Sequence, residues 1–471
     1  MIIKNNYILI VIIFFGFIIL QTKCIDCSKA PSLSLMLVCW KVKKWDKESR
    51  KISEPSSNNI LLSSIFDEPS PIFAPLVASI NKTANQCMDI ICVCSFFNGK
   101  IIKNKNDCIL PNKKKLSKSI RKELRMLTKK ERERYHRGIK KLKESGEYTN
   151  FATIHSKISL SGSSHAGPAF LPWHREFLKR FEIALKKIDP SLSIPYWDST
   201  LESSLPTPED SIIFSDIFFG TTDDEGNVVT GPFKNFTTIS GNPYISRDIG
   251  RIGSVFKDSE IDILMNKTSI NEMLVFPAAR NNCSVKVDFN GLEFIHGNIH
   301  NFIGGDMFLT ATSGNDPIFY HHHSFVDLIW EMWRKHNQNK EEREKVYPND
   351  MSDCFSELHF GTNLMKPFEE WRNIDGLKNE YTDNMYEYAP RPTCSLSNPS
   401  CKSEFLFCYI SNNVGKCTAK IKINGNCKGF EEVKEACYKG ICINGTCTSK
   451  NHNKKTSQTQ LPALNNDTLI V

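Results

Sequence analysis

After residue 20 the 471-residue chain has no apolar run of the roughly 20 residues that a bilayer span needs. The one long apolar run, Tyr7 to Leu20, follows Lys4 and has the length of a signal-peptide core, so residues 1–23 are expected to leave as a secretory signal. No membrane attachment is expected afterwards. Repeats of solenoid period are also missing, which excludes stacked-repeat architectures. Cysteine is absent from the whole of 109–282 although the chain holds 17, so disulfides cannot hold that stretch together and an apolar core must. At 40% apolar residues the chain has enough to build one, and wholesale disorder is excluded. The net charge of +8 is local: Lys100 to Glu144 carries 18 Lys and Arg against 5 Asp and Glu, leaving the rest net acidic. For an exported chain, nucleic acid is not an expected partner.

The cysteines divide the chain. Seven lie in 24–110, a segment of broken periodicity expected to be a disulfide-tied lead-in. Two, Cys283 and Cys354, fall in 111–390, where helical patterns dominate. Eight crowd into 394–447 with Gly425, Gly429, Gly440 and Gly445 at turn positions, which reads as a disulfide module rather than a zinc site. A polar tail, 448–471, follows. Ile120 to Leu142 reads as one helix with a basic outer face, ending near Gly146. Sequons at Asn81, Asn235, Asn266, Asn282, Asn444 and Asn466 suit a glycosylated export product.

Eight of the 12 histidines form two groups: His155, His165 and His174, then His296, His300 and the run His321, His322, His323. His296 and His300 are four residues apart, so on a helix both imidazoles leave one face. Gly297 follows His296 where zinc proteases have a glutamate base, which excludes that class. No carboxylate stands at ligand spacing, which argues against di-iron and di-manganese sites. Imidazole-only sites suit copper or zinc, and a matched pair of them suits two coppers that share one dioxygen.

The segment His165-Ala-Gly-Pro-Ala-Phe-Leu-Pro-Trp-His174-Arg-Glu-Phe with Ile194-Pro-Tyr-Trp-Asp198 resembles the copper-A signature of tyrosinases. His296-Gly-Asn-Ile-His300, Gly304-Gly-Asp-Met307 and Asn315-Asp-Pro-Ile-Phe-Tyr-His-His-His323-Ser-Phe-Val-Asp327 resemble the copper-B signature. The resemblance runs from about Arg121 to Tyr388 and is nearest to secreted invertebrate tyrosinases. It implies a mainly α fold, a helical bundle around a dinuclear copper site with small disulfide-rich flanks. It also implies His155, His165 and His174 as ligands of one copper and His296, His300 and His323 as ligands of the other. His322 becomes a neighbour of the site and His321 a variant of an apolar position.

The activity implied is that of a secreted dicopper oxidase that hydroxylates monophenols and oxidises o-diphenols to o-quinones with dioxygen. Small phenols, or tyrosyl and DOPA side chains of proteins, are its expected partners, and pigment formation or tanning of an extracellular coat its expected use. Phe170 and Phe319 are expected to wall the pocket, Asp327 to orient the imidazoles from one turn beyond His323, and Glu293 to take the phenolic proton. Relatives with strong monophenol activity often carry Asn after the first copper-B histidine; Gly297 stands there and predicts weak hydroxylation. A haemocyanin-like oxygen-binding protein, or a catechol oxidase without monophenolase activity, is the alternative.

Overall fold

A computed structural model describes residues 26–53, 83–102, 107–274, 276–285 and 288–450. The signal segment, Cys24, the sequons at Asn81 and Asn466 and most of the tail lie outside the described residues.

The core is built on α4 (Phe170–Ile188) and α6 (Ile318–Asn337), which pack on each other and are buried along most of their length. Aromatic residues at helical spacing make that contact: Tyr320 of α6 stacks on Phe181 at 3.7 Å and lies parallel to Phe177 of α4. Around them lie α2 (Lys129–Glu144), α3 (Glu147–Ser156) and α5 (Leu292–Ile303). The helix expected from Ile120 starts only at Lys129. Thr128 Oγ1 accepts from the Glu131 N–H and the Glu131 carboxylate accepts from the Thr128 N–H, a reciprocal cap that fixes the first turn. Before it, β1 (Ser119–Arg121) pairs in parallel with β2 (Tyr386–Tyr388). Tyr135, Ile139 and Leu142 face inward from α2, and Lys130, Arg134, Arg137 and Lys141 form its exposed stripe.

A buried ionic network locks α4 to α6. Arg175 of α4 donates to Asp327 at 2.7 Å and to Glu331 at 2.9 Å, and Glu331 also holds Arg334. Arg121, Tyr386 and Tyr388, from the β1–β2 pair, close around the other Asp327 oxygen. Burial opposes ionisation of Asp327, but the two guanidiniums and two phenolic hydroxyls outweigh it and hold its carboxyl below the ordinary value.

The N-terminal segment contains an element that its broken pattern concealed. Helix α1 (Leu33–Ser53) packs along α5, pinned at its start by the Cys27–Cys39 disulfide. Cys87–Cys92, Cys94–Cys108 and Cys283–Cys354 are further bridges. At the other end, β3 (Leu406–Ser411) with β4 (Val414–Ala419) and β5 (Gly440–Ile443) with β6 (Thr446–Ser449) make two hairpins. All eight cysteines there are bridged, Cys394 to Cys408, Cys401 to Cys417, Cys427 to Cys442 and Cys437 to Cys447, which leaves no thiolate for zinc. The last strand takes in Thr448 and Ser449, which the sequence placed in the tail. No helix among the described residues is long and apolar enough to cross a membrane.

Candidate metal centre

Each histidine group reaches the centre from different elements. His155 ends α3, His165 sits on the loop after it and His174 lies one turn into α4. Their ligand atoms lie within 4.8 Å of one another, and the Nε2 atoms of His155 and His165 are 3.1 Å apart. In the second group the four-residue spacing on α5 sets His296 Nε2 2.9 Å from His300 Nε2, and His323 of α6 brings its Nε2 to 3.2 and 3.4 Å from these two. The two groups are adjacent: the His174 and His323 rings stack at 4.1 Å.

The tautomers follow from the backbone. His174 Nδ1–H donates to the Phe170 carbonyl, His296 Nδ1–H to that of Glu293 and His300 Nδ1–H to that of Met307. Each Nε2 is then a lone pair, and in the second group two such lone pairs point at each other across 2.9 Å. Lone pairs so close repel unless a cation lies among them. Burial keeps all six imidazoles neutral, pushing His300 down to about 4 and the other five well below the ordinary 6.5. Two buried sets of three neutral nitrogens, without a carboxylate in either set, fit two soft-to-borderline ions such as copper.

In the run of three histidines only His323 turns its ring nitrogen into the centre. His322 stacks on the outer side of His296 at 5.0 Å and reaches the His296 carbonyl through Nε2. His321 points away, bonded to the Pro317 carbonyl and packed against Tyr135 and Phe219. Successive helical residues are about 100° apart, so one of three can face the site.

Two expected roles are corrected. Among the described residues no imidazole hydrogen-bonds to Asp327; its oxygens are taken by Arg175, Arg121 and two tyrosines, so it ties α4 to α6. Backbone carbonyls do the orienting instead. Phe170 and Phe319 lie between the imidazoles, 4.9 Å from the His296 ring and 4.2 Å from the His323 ring, beneath the centre and not at its mouth. The mouth is a cavity of about 40 Å³ reaching His165, His296 and His300. Glu293 lines it. One Glu293 oxygen accepts from the Ala166 N–H at 2.8 Å and lies 3.5 Å from His165 Nδ1, the other has no partner, and burial pushes its carboxyl up to about 8.

Sequence reasoning missed the opposite wall. Val38, Lys41 and Val42 of α1 line the mouth, and Trp45 sets its ring edge against His165 at 5.3 Å. Val38, Val42 and Trp45 do have helical spacing, but nothing local says which surface they cover. Gly297 is where α1 comes closest: a Cβ there would stand 2.6 Å from Val38. His359 was missed too. It takes the Ala169 N–H and fills the space beside Gly167, supporting the His165 loop from behind.

Residues 145–336 match the common central domain of tyrosinase. The tyrosinase-like protein tyr-3 of Caenorhabditis elegans is 42% identical over 450 residues, which cover 95% of this chain and 63% of that protein. The chain thus spans less than two thirds of that relative's length. The tyrosinase of Streptomyces antibioticus is 30% identical over 238 residues, 46% of this chain and 83% of the bacterial protein. Among solved structures, a polyphenol oxidase of Thermothelomyces thermophila superposes with a TM-score of 0.44 at 19% identity, over 60% of this chain and 90% of that one. Matched over most of a bacterial tyrosinase and through the domain that carries both histidine groups, the chain belongs to the tyrosinase family, whose members hold two coppers and use dioxygen.

Proposed function

We propose that the protein is a secreted phenol oxidase that converts o-diphenols to o-quinones and hydroxylates monophenols more slowly. The observation that carries this reading is the opening of one cavity onto His165 of the first triad and His296 and His300 of the second, so that one molecule can meet both metals. His155, His165 and His174 would hold one copper, and His296, His300 and His323 the other. When bound, the pair supplies two-electron chemistry with dioxygen.

The chain's own groups do the rest. Carbonyls of Phe170, Glu293 and Met307 keep the Nε2 lone pairs aimed inward. Phe170 and Phe319 keep water from beneath the ligands. Glu293 faces the cavity with an unpartnered oxygen, in place to take the phenolic proton. Gly297 supplies no side-chain amide at the mouth, which supports the slower monophenol reaction. Export is supported by eight disulfides and by exposed sequons at Asn235, Asn266, Asn282 and Asn444. Tanning of an extracellular coat, or pigment formation, is the use that fits an exported quinone producer.

One observation favours a second reading, an oxygen-binding protein: the cavity is small, about 40 Å³, and α1 forms one of its sides. Oxygen uptake by copper-loaded protein with L-tyrosine and with L-DOPA separates the two. Quinone formation from L-DOPA is expected. Reversible oxygenation without quinone would replace the oxidase by the carrier, and much less than two coppers per chain would refute both.

A further inference from the structure

Helix α1 completes the mouth, and its Lys41 is out of keeping with the neutral walls around it. Val38, Lys41 and Val42 form one side of the cavity and Glu293, His296 and His300 the other. The Lys41 ammonium donates to Asn301 Oδ1 at 2.5 Å and to the Phe308 carbonyl at 2.6 Å, and it lies 3.6 Å over the Phe308 ring. All three partners are uncharged. No carboxylate among the described residues lies at ion-pair distance from Lys41, whereas Arg121, Arg125 and Arg175 each have one; buried Lys186 is likewise held by carbonyls alone, but it lines no part of this cavity. An ammonium has three N–H donors, and two are used. A partly buried cation held only by neutral acceptors lacks the countercharge that such groups ordinarily have.

The size of the cavity makes the missing countercharge relevant to binding. The mouth is small, about 40 Å³, and an aromatic ring that enters it meets the side chains of α1. Val38 is β-branched and pressed against Gly297, whereas Lys41 has a flexible four-carbon stem. An entering ring therefore displaces the ammonium from Asn301 and Phe308. A carboxylate on the same molecule gives it a charged acceptor in exchange, and a neutral ring gives it nothing.

We propose that Lys41 is the specificity-determining residue of this mouth, holding the side-chain carboxylate of an acidic phenol whose ring lies toward the two triads. The assignment rests on the phenol-oxidase reading. It predicts a preference for phenols that carry a carboxylate over neutral ones of the same shape, by about ten- to a hundredfold, the range of one charge-assisted hydrogen bond.

The test uses the full copper-loaded chain and two inert probes, 3-phenylpropionate and its neutral amide, with affinities measured by titration calorimetry. The acid is expected to bind at least tenfold more tightly than the amide. Lys41→Met is expected to abolish that preference and Lys41→Arg to retain most of it, with copper content measured for each variant. Equal affinities in the unaltered chain, no binding of the acid, or a preference that survives in Lys41→Met would each overturn the assignment. The unaltered chain decides by itself if Lys41→Met does not fold. Oxygen uptake on 3-(3,4-dihydroxyphenyl)propionate and on 4-methylcatechol separates this assignment from the reading beneath it. Turnover of both at equal kcat/KM refutes the Lys41 role and leaves the oxidase. Acid-selective binding without turnover of either keeps the Lys41 role and refutes the oxidase.

Discussion

Removing copper and lowering the pH from about 7.0 to about 5.5 is expected to destabilise this protein by about 8 kcal/mol. The six imidazoles of the two triads are buried and neutral, with His300 pushed down to about 4 and the other five well below 6.5 by burial. In the unfolded chain each titrates near 6.5. Below that value the unfolded state binds more protons than the folded one, so stability falls as pH falls. At pH 5.5 each histidine contributes about 1.4 kcal/mol to the loss, and six contribute about 8 kcal/mol. That is comparable with the whole stability of an ordinary domain, about 5 to 15 kcal/mol. Copper bound to the same lone pairs stabilises the folded state by mass action and moves the transition to lower pH. The assay is thermal unfolding of chelator-treated and copper-loaded protein at pH 7.0 and 5.5. The copper-free midpoint should fall by about 10 °C or more, given the entropy of unfolding a chain of this size, and the copper-loaded midpoint by clearly less. A copper-free midpoint unchanged at pH 5.5 would refute the assignment of the six histidines as buried neutral ligands.

Two further outcomes test the supports of the centre. Asp327→Asn leaves Arg175 and Arg121 without their shared carboxylate and should lower stability by about 3 to 5 kcal/mol in denaturant unfolding; because the folded carboxyl lies below 3.8, its contribution is present above that pH and lost below it, so the variant's deficit should shrink in acid. Gly297→Ala gains about 1 kcal/mol of helix propensity but sets a Cβ 2.6 Å from Val38, and should cost about 1 to 2 kcal/mol net. Adding Val38→Ala should recover that loss, and a double-mutant cycle with no coupling would show that the two residues do not meet.

How far the site could be read from sequence depended on how local its determinants are. His296 and His300 needed only the helical repeat, and the neighbourhood of His174 and His323 is recorded in contiguous signatures of a dozen residues. The choice among His321, His322 and His323 needed the resemblance, because spacing alone left all three open; the 100° step of α6 then separates them physically. Asp327 was misplaced for the same reason. One turn beyond a ligand is close to it in sequence, but the partners that claim its oxygens, Arg121, Arg175 and Tyr386, come from elsewhere in the chain. The start of α2 was misjudged because Leu124 and Leu127 continue the apolar period of the helix, while the cap that stops it lies in two side chains, Thr128 and Glu131.

The far wall of the mouth was not legible at all, and Gly297 shows why. Read against its relatives, the glycine is a missing amide and a reason for weak hydroxylation. Read in three dimensions, the place of that side chain is already taken: Val38 stands 2.6 Å from where the Cβ would be, Ser34 bonds to the side chains of Asn298 and Asn301, and Lys41 reaches Asn301 from the next turn. A larger residue at 297 would push α1 off α5 and carry Lys41 away from the cavity. The glycine and the N-terminal helix therefore form one arrangement, in which a side chain lost beside the first ligand makes room for a wall contributed from about 260 residues earlier in the chain. Restoring an asparagine at 297 without shortening Val38 is for this reason expected to loosen the mouth rather than to improve the reaction on monophenols.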